Sequence, residues 1–175
     1  MLLSTVKPMR TIFLDLDGVL ADFDRGVFLA TGKTPDQIAD DDVMWAAIKQ
    51  VPNFFLNLPK MVGADQFVSY VLSIAAYNRC AVSVLTGLPN PDKELADADV
   101  QKRSWVATLY PVLATSVHCC LSKEKQLFCK PGDVLIDDRR DNITRWKKAG
   151  GHGILFRDPE LAVHELYRLF SGDEA

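Results

Sequence analysis

No apolar run in these 175 residues reaches the length of about 18 that a membrane-spanning helix needs, which argues against a membrane protein. The N-terminus has no signal-peptide core, because Lys7, Pro8 and Arg10 interrupt it early. Basic residues do not dominate: 20 Lys and Arg stand against 23 Asp and Glu, a formal net charge of −3. A nucleic-acid surface needs clustered Lys and Arg, so nucleic acid is not an expected partner. A small anionic ligand stays compatible with this balance, since a local site can be positive inside an acidic protein. Cysteine is sparse. Cys80, Cys119, Cys120 and Cys129 form no C-x-x-C pair, and no His lies at a zinc-ligand spacing from them. They read as reduced core cysteines. Repeats and low-complexity stretches are missing too. These absences together describe a soluble cytoplasmic protein.

What is present suits one compact domain with a real core. Hydrophobic residues make up 48% and charged residues 25%. Five short apolar runs, at 11–15, 81–85, 116–121, 134–136 and 153–156, show little polar alternation. That pattern belongs to strands covered on both faces, as in a parallel sheet. Helical patterns lie between them. The stretch 65–77 puts Phe67, Val68, Val71, Leu72 and Ala75 on one face, and 100–109 puts Val100, Trp105, Val106 and Leu109 on another. Asp141 reads as the cap of a helix over 142–149 that Gly150 stops, and Asp158-Pro159 opens a final helix. Strands alternating with helices predict an α/β doubly wound, Rossmann-like sheet. The interval between the first strand and the helix near Asp65 breaks the rhythm. Its helical patterns at 21–30 and 41–50, followed by Phe54-Phe55-Leu56, read as a small helical cap over 21–62. The catalytic core is then 1–20 and 63–175.

The acidic residues fall in a pattern. Asp15 and Asp17 end the first strand, and Gly18 follows at once. In open α/β sheets ligands bind outside the carboxyl ends of strands. Asp137 and Asp138 end the fourth strand in the same way. If the two strands are neighbours, four carboxylates converge. Such a cluster needs a hard cation, and Mg²⁺ is the natural oxygen-ligand ion; the D-x-D-x-D-G loop of a Ca²⁺ site is absent. Thr86-Gly87 follows the second strand, where a hydroxyl and accessible backbone N–H groups can hold phosphate oxygens. Lys125 or Lys123, just after the third strand, can neutralise phosphoryl charge. Singly, each of these features has an ordinary structural explanation as a cap, a turn or a solvated lysine. Their order at successive strand ends does not.

This ordered set resembles the haloacid-dehalogenase superfamily of phosphohydrolases, from Thr11 to about Phe156. Asp15-Leu16-Asp17-Gly18 is similar to its first motif, and Thr86, Lys125 and Asp137-Asp138 to its second, third and fourth. The resemblance implies a five-stranded parallel sheet of order 3-2-1-4-5 with the cap inserted after strand 1. It implies Asp15 as nucleophile, Asp17 as general acid/base, and Thr86, Gly87 and Lys125 at the phosphate. It also implies Asp15, the Asp17 main-chain carbonyl and Asp137 as Mg²⁺ ligands, with Asp138 in support. Within the superfamily the chain is most similar to the 5'(3')-deoxyribonucleotidases. The segment from Asp15 to Phe23 resembles their nucleophile loop, Asn53-Phe54-Phe55 with Leu58-Pro59 their cap, and Gln101-Lys102-Arg103-Ser104-Trp105-Val106 their helix after the second motif. Where those enzymes usually read Thr-Ser-Pro, this chain has Thr86-Gly87-Leu88. The implied activity is Mg²⁺-dependent hydrolysis of a small phosphomonoester, a nucleoside monophosphate, through an aspartyl-phosphate. Phe23, Trp45, Phe54 and Phe55 are then candidates for an apolar slot that takes a flat base, and Arg139 reads as a surface salt-bridge residue, with a substrate contact as the other reading. Two other readings stay open: a phosphatase for another phosphoester such as a sugar phosphate, and a non-catalytic phosphate-binding module. The oligomeric state is open, a homodimer included.

Overall fold

The computed structural model describes residues 9–172; Lys7 and Pro8, on which the reading of the N-terminus partly rests, lie outside them. β1 (Thr11–Leu14) is the central strand. It pairs in parallel with β2 (Ala81–Leu88) on one side and with β4 (Val134–Asp137) on the other. β3 (Val117–Leu121) and β5 (His152–Leu155) complete a five-stranded parallel sheet of order β3-β2-β1-β4-β5. This is the order expected from the resemblance. Ile12, Leu14, Val84, Leu85 and the apolar residues of β4 are almost wholly shielded, as strands covered on both faces require. Among the described residues no helix is long and apolar enough to cross a membrane.

The helices fit their sequence signals, with shifted ends. α3 (Ala64–Asn78) buries Phe67, Val68, Val71 and Ala75. α6 (Pro159–Ser171) starts at Pro159, and the Asp158 side chain accepts from the Leu161 N–H at 2.9 Å. α5 (Arg140–Lys148) begins two residues before the expected start, so Asp141 is not its cap. Asp141 sits in the first turn, where negative charge favours the helix dipole. Arg139 takes the cap position with its N–H held by Asp137 Oδ1 at 2.8 Å. α4 (Ala98–Leu109) is the larger correction. Its buried face is Ala98, Gln101, Lys102, Trp105 and Val106, whereas Val100 is 66% exposed. The helix starts earlier than its apolar pattern indicates, and two polar residues on its inner face find partners inside. The four cysteines are free but only half-buried, less enclosed than core cysteines would be.

Between β1 and α3 the chain carries α1 (Phe23–Thr31), capped by Asp22, and α2 (Asp41–Lys49), capped by Asp40. The return past residues 52–61 is tied down at several points. Asp22 donates its N–H to the Pro59 carbonyl and Met61 to that of Leu20, both at 2.8 Å. Trp105 Nε1 donates to the Leu58 carbonyl at 2.8 Å, and Gln101 Oε1 accepts from the Phe55 N–H at 3.0 Å. Val27, Met44, Ile48, Phe54, Phe55 and Leu58 share one hydrophobic cluster with residues of the sheet and α4.

Candidate active site

β1 and β4 are neighbours, so their carboxyl ends bring Asp15, Asp137 and Asp138 together. One carboxylate oxygen of each lies within 4.8 Å of the others. The ladder continues through Asp15, whose N–H donates to the Ile136 carbonyl at 2.9 Å. Asp15 Oδ1 accepts from the Leu16 N–H at 2.7 Å. Lys125, only 2% exposed, sits between two of the acids, 2.8 Å from Asp15 Oδ1 and 2.7 Å from Asp137 Oδ2. Lys123, the other candidate, is exposed on the cleft wall. Asp137 is fully buried and its remaining valences are satisfied: Asn142 Nδ2 donates to both of its oxygens at 3.0 and 2.9 Å. Gly18 turns the loop back with a φ of 76°. A Cβ there would lie 2.4 Å from Asp138 Oδ2, so only glycine permits this approach.

The electrostatics follow from this crowding. Burial pushes the Asp15 carboxyl well above its ordinary value; Lys125 pulls it back, while Asp137, Asp138 and Asp17 push it further up. Asp138 is raised to about 6, by burial first and by Asp137 second. Burial alone would lower Lys125, but Asp15 and Asp137 outweigh it and hold its ammonium above the usual range. The four aspartates at these two strand ends outnumber the ammonium groups paired with them, Lys125 and Lys102, with the Arg139 guanidinium as a further positive charge acting on Asp138. A donor set made only of carboxylate oxygens with that excess fits one hard divalent cation.

A cleft of about 670 Å³ opens over this end of the sheet. Asp15, Asp17, Gly87, Lys125 and Asp138 line it, with Phe23, Trp45 and Phe55 from the segment after β1. Phe23 packs against Trp45 with ring centroids 5.9 Å apart and meets Phe54 edge-on at 5.8 Å. Phe54 itself is buried and does not line the cleft; it fills the space beside Gly26. Thr86 departs from expectation in a related way. β2 runs on to Leu88, so Thr86 and Gly87 are paired with Cys119 and Cys120 instead of following the strand. Thr86 is fully buried and not on the cleft wall, and its hydroxyl accepts from Lys102 at 3.2 Å. Asp17 was expected to offer the ion its main-chain carbonyl, and its carboxylate has another partner. Its side chain is outside the three-carboxylate group and is paired with Lys102. Asp138 lies inside that group, as a direct candidate ligand instead of a support.

Lys102 and Asn142 are site residues that reading by motif did not single out. Lys102 falls within the segment 101–106 that resembles the family's helix after the second motif, but nothing around it in the chain marks its head as buried. Asn142 lies five residues after Asp137, and its first-turn position in α5 aims it back at the strand end.

The model of the 5' nucleotidase, deoxy (pyrimidine), cytosolic type C protein family (NT5C) matches residues 8–175. No curated protein sequence matches the chain. Solved structures with a similar chain course include an uncharacterized protein from Corynebacterium glutamicum, 19% identical, covering 93% of this chain and 96% of that one, with a TM-score of 0.43. A HAD family hydrolase from Deinococcus radiodurans with bound phosphate and sodium is 13% identical, covering 91% and 88%, with a TM-score of 0.49. A hydrolase from Streptococcus pneumoniae is 15% identical, covering 92% and 100%, with a TM-score of 0.46. With the motif residues assembled at one strand edge and the family model spanning nearly its whole length, the chain belongs to the cytosolic type C 5'-nucleotidase family of haloacid-dehalogenase-type phosphohydrolases.

Proposed function

We propose that this protein is a Mg²⁺-dependent 5'(3')-nucleotidase that releases phosphate from nucleoside monophosphates through an aspartyl-phosphate on Asp15. The observation that carries this reading is the meeting of Asp15, Asp137 and Asp138 beside Lys125, at the edge of a cleft with aromatic residues on its wall. Asp15, Asp137 and Asp138 would hold the ion, which supplies positive charge beside the transferring phosphoryl oxygens. The Asp15 carboxylate attacks phosphorus in line and the ester bond to the sugar oxygen breaks. Lys125 stabilises charge on the phosphoryl group, with backbone N–H groups at Gly87 in support. Asp17 gives a proton to the departing alcohol, then takes one from the water that cleaves the aspartyl-phosphate. Asn142 keeps Asp137 oriented from behind.

The segment 21–62 is assigned as the cap and 1–20 with 63–175 as the core. Phe23, Trp45 and Phe55 form the slot for the base, because stacking on an aromatic ring is worth about 1–3 kcal/mol per base and suits any base. The test is phosphate release across a panel of nucleoside monophosphates and sugar phosphates, with MgCl₂ and with a chelator. Nucleoside monophosphates should lead by tenfold or more in kcat/KM, and chelation should stop turnover. A sugar phosphate at the head of the panel would refute the base slot. Turnover untouched by chelation would refute the metal.

A further inference from the structure

Lys102 has no role in the reaction just described, yet few side chains at the cleft are more constrained. It is 1% exposed. An ammonium taken from water costs several kcal/mol unless its protons find acceptors. All three do: it donates to Asp17 Oδ2, to the Gly87 carbonyl at 2.6 Å and to Thr86 Oγ1 at 3.2 Å. The Phe55 ring, 4.8 Å from Nζ, covers another side. A lysine has three N–H bonds and no more, so Lys102 keeps none for a substrate phosphate. Its effect must pass through a neighbour. That neighbour is Asp17, whose two oxygens differ. Oδ2 is taken by Lys102, whereas Oδ1 is buried with no hydrogen-bond partner. An unpartnered buried oxygen costs about 1–3 kcal/mol, a cost that a ligand atom can remove. Asp17 lines the cleft, so a substrate seated there lies against this side chain.

We propose that Lys102 is a positioning residue, which confines proton exchange with the substrate to Oδ1 of Asp17. The inference rests on the roles given above to Asp15 and Asp17. With Oδ2 accepting from an ammonium, Oδ1 is the oxygen left to hold the proton that Asp17 gives up in the first step. As the bond from Asp15 to phosphorus forms and the ester bond breaks, that proton passes to the leaving oxygen. In the second step Oδ1 takes a proton from water while the water oxygen displaces Asp15 from phosphorus. Lys102 keeps its three protons throughout. The same ammonium joins the end of β2 to the Phe55 ring, so the acid, the phosphate-side backbone and the base slot stay in one register.

The experiment compares two leaving groups. A nucleoside monophosphate expels a strongly basic alkoxide and needs the proton; 4-nitrophenyl phosphate expels a weakly basic phenolate and needs it little. Lys102→Met should lower kcat/KM for the nucleotide about 10- to 100-fold more than for the aryl ester. Lys102→Arg, which keeps a cationic donor, should restore the ratio to within about threefold of wild type. The ratio is taken within one preparation, so a reduced folded fraction cancels. Equal losses on both substrates with an active wild type overturn the inference alone; a wild type silent on both overturns the Asp15 reading and this inference with it. If the variants yield no folded protein, a wild-type crystal structure with inorganic phosphate decides. Asp17 Oδ1 on the phosphate with Lys102 still on Oδ2 supports the proposal, and Lys102 turned onto the phosphate refutes it.

Discussion

At Asp15 three carboxylates and one buried ammonium crowd together at the floor of the cleft. Replacing Asp15 by Asn removes one of the like charges but keeps the shape and an oxygen for the Leu16 N–H. Lys125 retains Asp137 as its counter-ion. Asp15→Asn should therefore fold normally, with a melting temperature no lower than wild type in the absence of metal. It should lose at least about a thousandfold in kcat, as expected when a nucleophile is taken away. Melting curves and phosphate release on the same sample check both halves, and near-normal turnover would remove Asp15 from the mechanism. The carboxylates were legible in the chain because both pairs end apolar strands and fall in order with Thr86-Gly87 and Lys125, although either pair alone could be a cap or a turn. Lys125 was legible for a similar reason, though only the fold separates it from Lys123. Lys102 was not: lysines in apolar helices usually keep their heads in water by extending their stems. Nothing local says that this one meets an acceptor from a residue 85 positions away.

At the scale of elements, α4 does two jobs with one face. Lys102 reaches the carboxylates, while Gln101 and Trp105 hold the segment 52–58 that places Phe55 at the cleft. Gln101 Oε1 accepts from the buried Phe55 N–H, and at 3.3 Å from that of Leu56. Gln101→Leu keeps the bulk but leaves the Phe55 N–H without an acceptor. That costs about 1–3 kcal/mol, or a melting-temperature drop of about 3–9 °C for a chain of this size. Chemical denaturation should show a lower midpoint at unchanged slope, since the fold and its buried area stay the same. A midpoint equal to wild type would mean that water replaces the lost acceptor. This latch also explains the misplaced face of α4. The apolar pattern of Val100, Trp105, Val106 and Leu109 points to a helix packed by hydrophobic contact alone. The actual inner face carries a glutamine and a lysine because it packs against backbone groups and an acid. By contrast the sheet order was readable, since strands buried on both faces leave a nearly continuous apolar record whatever the site does.

For the whole molecule, the parallel sheet delivers its carboxylates to one edge, and the two central strands there, β1 and β4, carry like charges at their ends. Crowded carboxylates at that edge weaken the folded state, as the upward push on Asp15 and Asp138 reflects, and an ion that binds only that state returns the stability. At about a hundred times its dissociation constant, Mg²⁺ should contribute about 2.7 kcal/mol. For 175 residues that is a rise in melting temperature of about 5–10 °C. K⁺ or Na⁺ at equal ionic strength should give far less, because screening acts weakly on buried charges. Asp137→Asn should abolish most of the Mg²⁺-dependent rise, because it removes one ligand and the charge that draws the ion. Lys123→Ala, at an exposed position on the cleft wall, should leave the rise intact. Melting curves over a MgCl₂ titration, with NaCl as the control, read this directly and need no substrate. A titration that leaves the wild-type melting temperature flat would mean that Lys125 alone satisfies the acids, and the divalent site would have to be given up even if the protein hydrolyses nucleotides.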